Sequence, residues 1–233
     1  MTVVLWDVDG TLLKAGAAGR LAIADAVAAV LGVEVPPEVL PRMAGKTDPQ
    51  IAREMLAHLE IASPDQHLEP LRSALEAALT ARVAQIRREG VVLPGVREAL
   101  AALAGGGAVQ TVVTGNVAAN ARTKLTALGL TGEDGGGPLR LDLGAYGSDD
   151  GDRDNLVPIA LARCRAAGVT VSEEQTWVVG DTPRDLACAR AAGVRCLLVA
   201  TGGYELDALR DVGADAVFCD LLDTAQVLGL LTA

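Results

Sequence analysis

A chain of 233 residues, half of them hydrophobic, has room for a sizeable core in one large domain or two smaller ones. Its formal net charge of −10 argues against a nucleic-acid backbone or an anionic membrane surface as partner. The longest charge-free run, residues 99–121, contains Gly105-Gly106-Gly107, Gln110, Asn116 and Asn120, and reads as helix, turn and strand, not as a membrane span. Asp7 and Asp9 fall where an apolar targeting core would have to begin. Cys164, Cys188, Cys196 and Cys219 show neither close pairing nor metal-ligand spacing. A cytoplasmic protein with reduced thiols is the expectation. With only 2% aromatic residues, the core must be built from Ala, Val and Leu, which suits helices packed on a parallel sheet.

The first element is the apolar run Val3-Val4-Leu5-Trp6, a buried strand that ends in Asp7-Val8-Asp9-Gly10-Thr11. A small-residue loop over 14–19 leads into a helix over 20–31, closed by Gly32. Pro36-Pro37 marks a turn before a further short helix. Next, Thr47 or Asp48 can cap a helix with Pro49 in its first turn and Ile51, Met55, Leu56 and Leu59 on one face. Ser63-Pro64 opens a long helix with Leu68, Leu71, Leu75, Leu79, Val83 and Ile86 at helical spacing, ending near Gly90. No strand is expected between residues 16 and 90.

Strand signals return after Leu93-Pro94-Gly95. A helix of about ten residues is expected up to the glycine triplet, then a β-branched strand over 109–114, then Gly115-Asn116 and a helix to about Leu128. Residues 132–137 read as a glycine-rich loop, and 139–146 as holding a short strand. Helices are expected over 155–167, 183–192, 205–212 and 223–230, with strands at 177–179, 196–199 and 216–218. This alternation, with the first strand, predicts an α/β fold: a parallel sheet wrapped by helices on both faces, with a helical insertion. The polar strand ends at Asp7, Thr114 and Asp181 then share the edge where open α/β sheets bind ligands.

Side chains alternate along a strand, so Asp7 and Asp9 project from one face, where their like charges repel. An oxygen-ligated cation such as magnesium relieves that repulsion; the alternative is a solvated pair in a turn. Thr114-Gly115-Asn116 offers a hydroxyl and helix N-terminal N–H groups to an anion, or a plain helix cap. Asp181 and Asp185 at a helix start suit its dipole, which leaves Asp7-Val8-Asp9 unexplained.

Asp7-Val8-Asp9-Gly10-Thr11-Leu12 resembles the first motif of the haloacid dehalogenase-like superfamily of phosphohydrolases. Thr114-Gly115-Asn116 resembles the second, and Gly180-Asp181-Thr182-Pro183-Arg184-Asp185 the fourth. The resemblance implies a Rossmann-like core domain, residues 1–15 and 91–233, and an all-helical cap domain, residues 16–90, of the phosphoglycolate phosphatase and β-phosphoglucomutase type. It implies Asp7 as nucleophile, Asp9 as general acid/base and Thr11 as local support. Thr114, Gly115 and Asn116 would hold phosphoryl oxygens, and Mg2+ would be bound by Asp7, the Asp9 carbonyl and Asp181. Asp185 would be a ligand or an orienting group.

The third motif usually supplies a lysine. Here Arg153 stands in its place, and arginine can neutralise Asp7 and phosphoryl charge through its planar fork. Lys124 is expected at the surface. In the cap, the loop Gly45-Lys46-Thr47-Asp48 resembles the one that contacts the leaving group. Lys46 and Thr47 are therefore candidates for substrate contact, as is Arg20, while His58 and His67 are expected at the surface. The implied activity is Mg2+-dependent hydrolysis of a small phosphorylated metabolite through an aspartyl-phosphate, by a monomer or homodimer.

Asp9 argues against a dehalogenase, which lacks the second aspartate. Lys46 leaves a phosphonatase open, and a phosphomutase is an alternative. From another class, a signalling receiver would be about half as long and lack the insertion. A phosphate-binding protein without turnover would have only Arg153, in place of lysine, in its favour.

Overall fold

A computed structural model describes residues 1–36, 40–132 and 136–233. Among these, strands β1 (Val3–Trp6), β4 (Val109–Thr114), β5 (Ala145–Tyr146), β6 (Thr176–Gly180), β7 (Arg195–Val199) and β8 (Ala216–Phe218) form one sheet. Its order is β5-β4-β1-β6-β7-β8, and every neighbouring pair is parallel. The chain builds outward from the central β1 first on one side and then on the other. Trp6 is level with Val112 of β4 and Val179 of β6, so Asp7, Thr114 and Asp181 leave the sheet side by side.

The strands are buried on both faces, and successive residues feed different cores. Val4, Trp6, Val112, Trp177 and Leu197 pack with α5 (Val96–Gly105), α6 (Ala118–Ala127) and α10 (Thr224–Leu231). Val3, Leu5, Val113, Val178 and Leu198 pack with α7 (Leu156–Ala166), α8 (Pro183–Ala191) and α9 (Leu206–Asp211). The expected parallel sheet with helices on both faces is therefore the fold observed.

The insertion holds α1 (Ala18–Leu31), α2 (Asp48–His58), α3 (Asp65–Thr80) and α4 (Val83–Glu89). Val27, Ile51, Met55, Leu56 and Leu71 make a third apolar cluster, separate from the two beside the sheet. The expected single helix from Ser63 to Gly90 is thus two. Thr80 returns its hydroxyl to the Glu76 carbonyl at 2.8 Å, a bond that bends helices, and Arg82 ion-pairs with Asp25 of α1. The break lets Leu79 and Ile86 join the sheet-side core while Leu71 stays in the cap cluster.

A second departure is a two-residue antiparallel pair, β2 (Leu13–Lys14) with β3 (Val91–Val92), which clasps the two ends of the insertion. Runs this short carry no periodicity, so neither was expected. The helix anticipated after Pro36-Pro37 falls partly on residues 37–39, outside the described residues, and 40–43 are not helical. The middle of the glycine-rich loop, 133–135, is likewise outside the described residues. The short strand anticipated within 139–146 is β5. No helix is long and apolar enough to cross a membrane among the described residues.

One buried polar group fixes the strand that carries Asp7. Gln110 of β4, 1% exposed, accepts from Trp6 Nε1 at 3.2 Å and donates to the Leu100 carbonyl at 2.9 Å. Gln110→Leu strands the indole N–H in the core, an unmet donor worth about 1–3 kcal/mol. A lower urea midpoint at unchanged slope is expected, and an unchanged midpoint would show the pair to be neutral.

Candidate active site

Asp7 follows the last residue of β1, and its N–H continues the ladder to the Val179 carbonyl at 2.9 Å. Its carboxylate is 4% exposed and meets Arg153 Nη2 at 3.1 Å. Arg153 lies in a single 3-10 turn (Arg153–Asn155) ahead of α7 and is itself 5% exposed. Its guanidinium also pairs with Asp185, and Nη1 donates to the Gly45 carbonyl of the cap loop at 3.1 Å. The position expected to supply the third-motif cation therefore does place a cation on Asp7.

Asp181 and Asp185 complete a buried cluster in which oxygens of Asp7, Asp181 and Asp185 lie within 4.8 Å of one another. Thr11 holds Asp181, its hydroxyl donating to Oδ1 at 3.1 Å. Asp185 is occupied otherwise. Its Oδ2 accepts from the Thr182 N–H at 2.9 Å and hydroxyl at 2.7 Å in a capping box, and its Oδ1 takes Arg153. Of the two roles left open for Asp185, orientation of the Arg153 fork is the one its contacts describe.

Crowding like charges in a dry site has the expected electrostatic result. Burial, then Asp185 and Asp9, push the Asp7 carboxyl up to about 6, against the opposing pull of Arg153. Burial, then Asp185 and Asp7, push Asp181 up to about 8. A hard divalent cation fits such a donor set, because it supplies the positive charge that these oxygens lack. Burial also raises the Cys188 thiol, beneath Asp185, to about 12, so it is a packing group and not a nucleophile.

Asp9 faces a different environment. Its side chain is 43% exposed and borders a cavity of about 310 Å³ between the sheet edge and the insertion. Asn116 Nδ2 donates to Asp9 Oδ2 at 2.8 Å and to the Thr114 hydroxyl at 2.9 Å. Lys124 Nζ reaches the same Asp9 oxygen at 2.5 Å and Asn116 Oδ1 at 2.7 Å. Lys124 is thus not a surface residue: it is 7% exposed, and α6 turns it inward. A sequence signal existed, since Asn120 and Lys124 step by four along one face of α6.

The cap loop closes the other side of the cavity. Thr47 caps α2, accepting from the Gln50 N–H at 3.2 Å, and donates to the Gly151 carbonyl at 2.7 Å; it holds the loop and does not line the cavity. The Asp48 N–H donates to the Gly115 carbonyl at 2.7 Å, and the Asp48 carboxylate takes the Val117 N–H at 2.8 Å. Gly115 is required here, because a Cβ would lie 2.1 Å from the Lys46 carbonyl oxygen. Lys46 and Arg20 both line the cavity. Lys46 is ion-paired with Glu54 of α2, and Arg20 donates to the Leu40 carbonyl at 3.2 Å. His58 is exposed, His67 half-buried, and neither borders the cavity.

Two glycines give Asp181 its room: Gly10 of the first motif, and Gly202, which nothing in its local sequence singles out. A Cβ on Gly202 would lie 1.6 Å from Asp181 Oδ2, and one on Gly10, where φ is +91°, 2.5 Å away. Thr201 fixes that turn through a 2.6 Å bond to the Gly10 carbonyl. Gly202→Ala is therefore expected to displace the Asp181 carboxylate and weaken divalent-metal binding by about tenfold or more, read by titration calorimetry. Undiminished affinity would show that Asp181 is not a ligand.

The raised carboxyls also set a pH dependence. Their folded-state values lie above the ordinary 3.8, so in chelator this contribution to stability is greatest near pH 4 and is lost as pH rises towards 8. Melting temperature in chelator should fall across that window, and Asp181→Asn should flatten the fall. Magnesium should raise the melting temperature more at pH 8 than at pH 5. A flat profile would contradict the raised values.

Residues 4–190 match the haloacid dehalogenase-like hydrolase family. A phosphoglycolate phosphatase of Rhodospirillum rubrum is 28% identical over 97% of this chain and 90% of its own length. Among solved structures, a hydrolase from Pseudomonas syringae superposes over the whole of both chains with a TM-score of 0.74 at 22% identity. CbbY from Rhodobacter sphaeroides, in complex with phosphate, superposes over 96% of both with a TM-score of 0.73 at 20% identity. With the family match covering most of the chain, and the fold and strand-end acids in the expected places, this protein belongs to the haloacid dehalogenase-like hydrolases.

Proposed function

We propose that this hydrolase is a magnesium-dependent phosphatase that cleaves a small phosphate monoester, phosphoglycolate-like or a sugar phosphate, through an aspartyl-phosphate on Asp7. The observation that carries the reading is the inequivalence of two aspartates at one strand end. Both border the cavity, but Asp7 is buried against a guanidinium, and Asp9, two residues on, is open to it. A relative over nearly the whole chain that bears the name phosphoglycolate phosphatase supports the substrate class.

Asp7, Asp181 and the Asp9 carbonyl are the groups that would hold magnesium. When bound, the ion supplies positive charge against the carboxylates and the phosphoryl oxygens. A carboxylate oxygen of Asp7 bonds to phosphorus as the bond from phosphorus to the ester oxygen breaks, and Asp9 gives its proton to that oxygen. Asp9 then takes a proton from the water that attacks phosphorus, releasing phosphate and restoring the Asp7 carboxylate. The Thr114 hydroxyl, the N–H groups beyond it and the Arg153 fork stabilise the equatorial oxygens.

The cap side of the cavity receives the leaving group. Arg20 and Lys46 line it together with the apolar Ile23, Leu75 and Leu79, a wall suited to a short polar metabolite.

Turnover of p-nitrophenyl phosphate and of a panel of small phosphate monoesters, with magnesium and with chelator, tests this reading. Activity should vanish in chelator and return with magnesium. Asp7→Asn should lower kcat by about a thousandfold or more with the fold retained, since charge is lost and shape is kept. Activity of Asp7→Asn within tenfold of the parent would exclude aspartyl-phosphate chemistry at this residue.

A further inference from the structure

Lys124 stands outside the three strand-end motifs, yet its ammonium is spent inside the site. A lysine in the last turn of a helix ordinarily answers the helix dipole from solvent. Lys124 instead runs back from α6 and is 7% exposed, with Asp9 Oδ2 at 2.5 Å and Asn116 Oδ1 at 2.7 Å. Asn116 closes the ring by donating to Asp9 Oδ2 at 2.8 Å, and the Thr114 hydroxyl fixes Asn116 from behind at 2.9 Å. A buried ammonium is costly unless its hydrogen bonds are met, so the ring is held together from every member.

The consequence falls on one atom. Two donors converge on Asp9 Oδ2, and among the described residues the cap gives Asp9 no comparable support. Its side chain, 43% exposed, is followed at once by Gly10 in the left-handed region. We infer that Lys124, with Asn116, is a positioning residue: it clamps Asp9 by Oδ2 and so presents Oδ1 to the ester oxygen of the leaving group. The inference rests on the phosphatase reading of the site. Arg153 plays the corresponding part for Asp7, so each aspartate has its own cation.

The clamp makes a leaving-group-dependent prediction. An alkyl phosphate needs its ester oxygen protonated as the bond breaks, whereas p-nitrophenolate departs with little help. Lys124→Met, which keeps length and removes the ammonium, should lower kcat/KM for an alkyl phosphate by about tenfold to a hundredfold. Its kcat/KM for p-nitrophenyl phosphate should stay within about threefold. Lys124→Arg should recover part of the loss. Asp9→Asn should lower kcat/KM for the alkyl phosphate at least as far, and the double variant should add nothing to that loss. Asn116→Ser removes the second Asp9 donor together with one acceptor of the Lys124 ammonium; its loss on the alkyl phosphate should run in the same direction, and it serves if Lys124→Met does not fold.

A crystal structure of Lys124→Met beside the parent supplies a readout independent of turnover. The Asp9 carboxylate should leave its parent position. Equal losses on both esters, or an Asp9 that does not move, would overturn the clamp. If the parent hydrolyses neither ester, the phosphatase reading fails, and the two crystal structures alone decide whether Lys124 positions Asp9.

Discussion

Three carboxylates and one guanidinium, all buried, fix what this protein can do. Oxygens of Asp7, Asp181 and Asp185 lie within 4.8 Å of one another, and Arg153 is the cation among them. Removing that many like charges from water costs several kcal/mol each unless charge or hydrogen bonds compensate. Asp185 is compensated fully, by Thr182 and Arg153. Asp7 and Asp181 are not, and burial together with their neighbours raises both carboxyls. The fold thus stores an electrostatic deficit at one point on the sheet edge. A cation that binds there relieves the deficit, and so stabilises the fold as well as the site.

The insertion meets the sheet domain in two ways: Ala18, Ala22, Leu79 and Ile86 join the core beside the sheet, and the loop ahead of α2 reaches the strand ends through polar bonds. Its own cluster, around Met55 and Leu56, is separate from the two cores beside the sheet. The cap loop instead docks by polar bonds: Asp48 to the Gly115 carbonyl and the Val117 N–H, Thr47 to the Gly151 carbonyl, and Arg153 to the Gly45 carbonyl. These bonds need the loop within hydrogen-bond reach of the strand ends, which is why Gly115 carries no side chain. They also place Lys46 on the cavity wall, with Glu54 already neutralising its charge.

Much of this was legible in the sequence because the signals are local. A β-branched or apolar run ending in Asp, Thr or Gly-Asp states both a strand and which end is polar, and the parallel order follows from alternation with helices. What escaped was short or long-range. The two-residue β2 and β3 have no period to read, and the break between α3 and α4 depends on contacts of Arg82 and Thr80 that spacing does not record. Gly202 and Thr201 read only as a turn, and their meaning comes from Asp181 and Gly10, far away in the chain. Lys124 was the instructive miss. Its charge suggested solvent, while its place four residues after Asn120 on one face of α6 pointed inward, and that spacing was the better guide.

Arginine at position 153 also has a reason in the geometry. An ammonium is a compact point charge and serves acceptors gathered around one atom, as Lys124 does with Asp9 and Asn116. Arg153 has three acceptors from different parts of the chain: the Asp7 carboxylate, the Asp185 carboxylate and the Gly45 carbonyl. Nη2 serves both carboxylates while Nη1 reaches the Gly45 carbonyl, so the planar fork spans the acids and the loop together. The same group that balances Asp7 therefore ties the cap loop to the site, and Asp185, set by its own capping box, holds the fork in plane. Charge compensation and cap placement become one interaction, which lysine at position 153 could supply only in part.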